Sequence, residues 1–180
     1  QDRTHWTLPA GADPEAIGPP VPGQPAPYPL LVTVGADDAG NAWLLNCEGL
    51  TLNLTGDPVF GADLARYVAA EIACNPWSAG VLVDCVGVAE EVAPLNPDRI
   101  RVHTAGADPA GDALAHAVAI LDRIRDTTTD LPTARARMTG AETWPGRMLL
   151  LDAAGEHTPA LNQLLGLLGD HGPLTGTALV

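Results

Sequence analysis

The sequence predicts an α/β domain, a mainly parallel sheet flanked by helices. Three observations point there. Short apolar runs alternate along the chain with stretches of helical spacing. The runs at 79–88 and 147–154 lack regular polar alternation, as strands covered on both faces do. Turn and capping residues separate the elements.

The elements follow in order. Residues 1–29 are crowded with Pro, Gly and Ala and read as an extended arm or linker, so the domain is expected over residues 30–180. "LLVTV" (30–34) and "AWLLN" (42–46) flank "GADDAG", the chemistry of a hairpin turn. "LTLNL" (50–54) is a strand candidate that runs straight into "TGDPVFGAD" (55–63). "FGADLARYVAAEIAC" (60–74) places Leu64, Val68 and Ile72 on one helical face beside Ala65 and Ala69, leaving Arg66, Tyr67 and Glu71 outward. "NPWS" (75–78) closes that helix and docks Trp77 as a packing residue. "AGVLVDCVGV" (79–88) is a buried strand and "RIRVH" (99–103) a weaker one. Residues 110–125 repeat the helical spacing through Leu114, Val118, Leu121 and Ile124, with Asp112 in the first turn. Residues 125–146 read as a long connection with a short helical turn. "RMLLLDAA" (147–154) is a strand, "TPALNQLLGLLGD" (158–170) a helix opened by Thr158 and Pro159, and "TGTALV" (175–180) a last strand.

Composition narrows the function. With 180 residues, 46% hydrophobic and 17% charged, the chain can bury one sizeable core. A formal net charge of -13 repels phosphate backbones and anionic lipid heads, so no direct nucleic-acid binding is expected. Apolar runs such as "MLLLDAA" fall far short of the roughly 20 residues of a membrane helix. Cys47, Cys74 and Cys85 have no zinc or disulfide spacing and read as small buried hydrophobes. The five histidines, His5, His103, His116, His157 and His171, lack ligand spacing and read as surface or edge residues. Glu90 and Glu91 read as a solvated face, and the "NLT" sequon at Asn53 falls in a predicted buried strand.

The loop at 55–63 is the candidate site. Gly56 and Gly61 have the G-x-x-x-x-G spacing of a phosphate loop, set between a strand and a helix N-terminus. Where such a loop needs Lys and then Ser or Thr, this chain has Ala62 and Asp63. Asp57 adds a further negative charge, and Pro58 removes an amide. Two unit charges about 4 Å apart are worth about 4 kcal/mol near a protein surface, so exchanging attraction for repulsion costs several kcal/mol against a triphosphate. A magnesium-side Asp is available at Asp152 after the apolar run, but Ala153 follows where a catalytic Glu would stand, and Glu156 comes three positions later. Asp57, Asp63 and Asp152 could also be read as a carboxylate metal site, although Asp63 serves equally as a first-turn residue that stabilises the helix.

These segments resemble the motor domain of FtsK/SpoIIIE-type translocases and the related type VII secretion ATPases. The likeness runs from about Pro29 to Val180 and is mostly of pattern and spacing. Gly35, Asp37, Asp38 and Gly40 fit that family's hairpin, Gly56 and Gly61 its phosphate loop, and Asp84 the end of its next strand. Gly172 and Gly176 match a later turn, with Pro173 in place of the Arg. The resemblance implies a P-loop NTPase (RecA/FtsK)-like fold whose loop residues Gly56, Asp57, Gly61, Ala62 and Asp63 have lost their nucleotide chemistry. It also implies a structural or protein-interaction module without a cofactor, working with protein partners or other domains of a larger chain, homo-oligomers included. The implied place is a cytoplasmic assembly attached to a membrane through segments outside this chain. Alanine-rich, lysine-poor usage points to a high-GC bacterium. The competing expectation is an NTPase or hydrolase with an unorthodox loop, dependent on nucleotide or magnesium, in which Asp152 holds the metal.

Overall fold

The computed structural model describes residues 7–8, 11–13, 25–104, 106–127, 129–137, 144–152 and 158–180. Most of the proline-rich arm, His5, Ala153, Glu156, His157 and part of the 125–146 connection lie outside them.

Strands β1 (Leu31–Ala36) and β2 (Ala42–Asn46) form the expected antiparallel hairpin. The Asp37 carboxylate closes its turn, accepting from the amides of Ala39 and Asn41 at 3.0 and 2.9 Å and from the Trp43 ring at 3.2 Å. The remaining strands and α-helices among the described residues are α1 (Pro58–Cys74), β3 (Leu82–Val86), β4 (Ile100–Val102), α2 (Pro109–Arg125), α3 (Leu131–Ala136), β5 (Arg147–Leu151), α4 (Pro159–His171) and β6 (Thr177–Leu179).

Strands β3 to β6 make a four-stranded parallel sheet in the order β4-β3-β5-β6. One face packs Val83, Cys85, Met148 and Leu150 against Val68, Ala69 and Ile72 of α1 and Val32 of the hairpin. The other packs Leu149 and Leu179 against α2 and α4 through Ala113, Ala117, Leu161 and Leu164. Helices therefore cover both faces of an α/β sheet, and the continuous apolar character of β3 and β5 follows from that double burial.

The four α-helices among the described residues begin alike. A side chain at the residue before the helix accepts an amide hydrogen, and a proline follows within two positions. The capping residues are Asp57, Asp108, Asp130 and Thr158.

Four expectations are corrected. "LTLNL" is not a full strand: Leu52 N–H donates to Leu179 and Leu179 N–H to Leu50, giving one parallel bridge at Thr51. Gly49 N–H also donates to Thr177 at 2.7 Å, so the segment meets β6 (Thr177–Leu179) between Gly49 and Leu52 and leaves it after that. The segment is fixed at its start, where a Cβ on Gly49 would lie 2.2 Å from the Gly172 carbonyl carbon. Asn53 is accordingly exposed and not buried. Second, α1 starts at Pro58, two residues before the apolar pattern suggests, and Leu64 is 40% exposed. Third, α2 turns its alanines inward, burying Ala110, Ala113 and Ala117 and leaving Val118 exposed. Methyl side chains let the helix axis approach the sheet closely, which a Leu114–Val118 face would prevent. Fourth, Cys74 is exposed, while Cys47 and Cys85 are buried as expected. Trp77 docks on β1 through its ring N–H, which donates to Leu31 at 3.2 Å.

Candidate functional site

The loop that enters α1 is built around a carboxylate. Gly56, with φ of +114°, turns the chain out of the 50–54 segment. Asp57 then caps the helix: its Oδ1 accepts from the Val59 amide at 2.8 Å. Pro58 has no amide to offer, and the Gly61 amide donates to the Asp57 carbonyl at 3.0 Å, inside the helix. Gly61, Ala62 and Asp63 thus lie inside α1 and not in a loop ahead of it, and Asp63 falls past the first turn expected of it, because the helix already starts at Pro58. Asp63 receives Arg66 Nη1 at 2.7 Å, and Arg66 Nε donates to Glu91, so Glu91 is an ion-pair partner and not merely a solvated residue. Mutual pairing raises the Arg66 pKa and lowers that of Glu91.

A helix N-terminus attracts anions through unpaired amides and partial positive charge. Here the protein's own Asp57 occupies that position. Beside it Phe60 stands 73% exposed. An open groove of about 470 Å³ runs between the helix start and the preceding segment, lined by Asn53, Leu54, Thr55, Asp57, Phe60 and Leu64.

Asp152 lies elsewhere. It follows β5, and its amide donates to Val86 at 3.0 Å. The β3/β5 boundary is where strand order reverses, since β4 lies to one side and β6 to the other. In such sheets the crevice beyond the strand ends is a favoured ligand position. Gly87, at φ of +71°, lies close beside Asp152 there: a Cβ on it would approach Asp152 Cβ to 3.1 Å. The 50–54 segment pairs with β6 and Asp152 follows β5, which puts the two chain paths about two strand spacings, roughly 10 Å, apart. Among the described residues, no group of three or more His, Cys, Asp or Glu side chains is arranged to hold a metal ion.

Two buried charge clusters are not evident in the spacing of the sequence. Asp84, expected at a strand end, lies instead in the middle of β3 and fully buried; it receives Arg147 Nε at 2.6 Å on Oδ2 and pairs with His103 Nε2 at 2.7 Å on Oδ1. Arg147 Nη1 also donates to the Asp112 carbonyl at 3.2 Å. The signal was present in "LVDCV": a lone carboxylate inside an apolar strand must find a partner. Glu48 and Arg135 form the second cluster, with oxygen–nitrogen distances of 2.8 and 2.6 Å and both side chains buried. No local signal announces that pair, because its members are 87 positions apart.

His116 is a further correction. It reads as a surface residue, yet its ring is withdrawn from water, with Nε2 buried beside the backbone of Pro145 and Gly176. Burial, followed by the nearby Arg147 charge, pulls its pKa down to about 4. The buried thiols are pushed the other way, Cys47 to about 11 and Cys85 to about 12, chiefly by burial. Neither is a thiolate nucleophile near neutral pH.

Among the described residues no helix is long and apolar enough to cross a membrane. The chain matches no protein-family model, no curated protein and no solved structure.

Proposed function

We propose that this chain is a P-loop-derived domain of the FtsK/SpoIIIE type that has lost its nucleotide chemistry and serves as a structural or protein-interaction module in a larger bacterial assembly. One observation carries the reading: the helix end that would face phosphate offers a carboxylate, Asp57 on the Val59 amide, beside an exposed phenyl ring, Phe60. A carboxylate in the anion position opposes a triphosphate. An exposed Phe gains about 1.5–3 kcal/mol when a partner covers it. Ala62 and Asp63 supply neither the ammonium nor the hydroxyl that nucleotide and magnesium require. The partners on this reading are proteins or other domains of a larger chain, in the cytoplasm, and no cofactor is needed.

A thermal-shift titration with magnesium-ATP tests the proposal. A ligand that binds the native state raises the melting temperature by mass action. The expected result is no shift up to millimolar nucleotide. A dose-dependent rise that Asp152→Ala abolishes would establish the NTPase or hydrolase reading instead.

A further inference from the structure

We infer that the open sheet edge at Thr51–Asn53, together with the Leu54–Phe60–Leu64 groove, docks an extended segment of a partner protein in which apolar residues alternate with Lys or Arg. This deepens the interaction-module reading and rests on it.

The backbone supplies the first observation. Leu52 N–H and Leu50 C=O are directed at Leu179, so the N–H groups of Thr51 and Asn53 are directed away from the sheet. Among the described residues they have no hydrogen-bond partner. Thr51 and Asn53 are exposed. Edges of this kind are usually blunted by charge, proline or a covering element. "LTLNL" carries neither charge nor proline. The opposite edge of the sheet, β4, is treated differently, with Arg101 on the strand and Asp98 and Arg99 just before it.

The groove supplies the second. Asn53, Leu54 and Thr55 line it together with Phe60 and Leu64 of α1, so it adjoins the open edge, and Leu54, Phe60 and Leu64 offer an added strand's alternate side chains apolar contact, exposed by 36%, 73% and 40%. Backbone pairing and alternate apolar contacts together define strand addition.

Charge selects the occupant. Among the described residues lining the groove, Asp57 is the charged one, and the whole chain carries -13. A second copy would bring the same charge, and like-charge juxtaposition costs several kcal/mol. The chain's own residues 9–29 also fit badly, because prolines at 9, 14, 19, 20, 22, 25, 27 and 29 lack the N–H a ladder needs. A cationic, apolar, extended segment from another protein satisfies both the edge and the field.

The test uses the full chain and two capped octapeptides, one alternating Val with Lys and one alternating Val with Glu, followed by calorimetry and amide hydrogen exchange. The Val–Lys peptide should bind roughly tenfold or more tighter than the Val–Glu peptide and slow exchange at Thr51 and Asn53 by about the same factor. Phe60→Lys, a change at an exposed position, should keep the wild-type melting temperature and weaken binding of the Val–Lys peptide about tenfold. Thr51→Pro removes an outward amide, and should weaken it similarly. Equal binding of both peptides, no binding of either, or protection confined to other amides would overturn the site. A dimer whose Thr51 and Asn53 amides are protected without peptide would overturn it in favour of self-pairing. A magnesium-ATP melting shift would instead strike the non-catalytic reading, whatever the peptides do.

Discussion

Arg135 and Glu48 meet as a two-pronged ion pair with 1% and 2% of their side chains exposed, and Arg135 also donates to the carbonyls of Trp144 at 2.9 Å and Pro27 at 3.2 Å. One guanidinium therefore ties α3 to the residues that lead into β1, those that follow β2 and those that precede β5. Arg135→Ala should lower unfolding free energy by about 3–5 kcal/mol, because Glu48 is left charged, buried and alone. Urea denaturation measures it. Arg135→Met combined with Glu48→Leu should recover most of the loss, since the uncompensated charge is then gone.

His116 makes stability depend on pH in a particular direction. Its folded pKa of about 4 lies below the ordinary 6.5, so between those values the unfolded chain binds a proton that the native state refuses. Stability therefore rises with pH across that window and falls as acid is added from about 6.5 toward 4. The full effect is on the order of 3 kcal/mol. Denaturation midpoints of wild type and His116→Gln, compared at pH 5 and 7, should show the smaller pH dependence in the variant.

Thiol reactivity should divide sharply. Cys74 is exposed, whereas Cys47 and Cys85 are buried with raised pKa values. An alkylating reagent at pH 8 should label Cys74 in the native protein within minutes. The other two thiols should react only once the protein is unfolded, and intact-mass spectrometry counts the adducts.

The start of α1 offers a paired comparison. Asp57→Ala removes the acceptor of the Val59 amide and should cost about 1 kcal/mol. Phe60→Ser, one turn on, should change stability by less than about 0.5 kcal/mol, because the ring is exposed. Both follow from chemical denaturation.

The parallel sheet and both flanking layers were legible because periodicity reports burial: "LVDCV" and "RMLLL" read as doubly covered, and they are. Where small residues carry the packing, periodicity misleads. The alanines of α2 are weak hydrophobes by composition, so Leu114 and Val118 dominated the pattern while Ala113 and Ala117 made the contact. The glycine spacing at 56 and 61 was visible, but spacing does not say where a helix begins. Asp57 with Pro58 is a stronger start signal than Phe60, and it draws Gly61 into the helix. Ion pairs between distant positions leave no local trace, which is why Glu48 with Arg135 escaped notice.

The Asp84–Arg147 link, between positions 63 apart, sits at the β3–β5 junction in the middle of the sheet. Between its two strands in the chain lie β4, α2 and α3. Loop-closure entropy must be met before those contacts repay it. By that reasoning the β1–β2 hairpin, whose partners are near neighbours in the chain, is expected to form before the parallel sheet that gives the molecule its core.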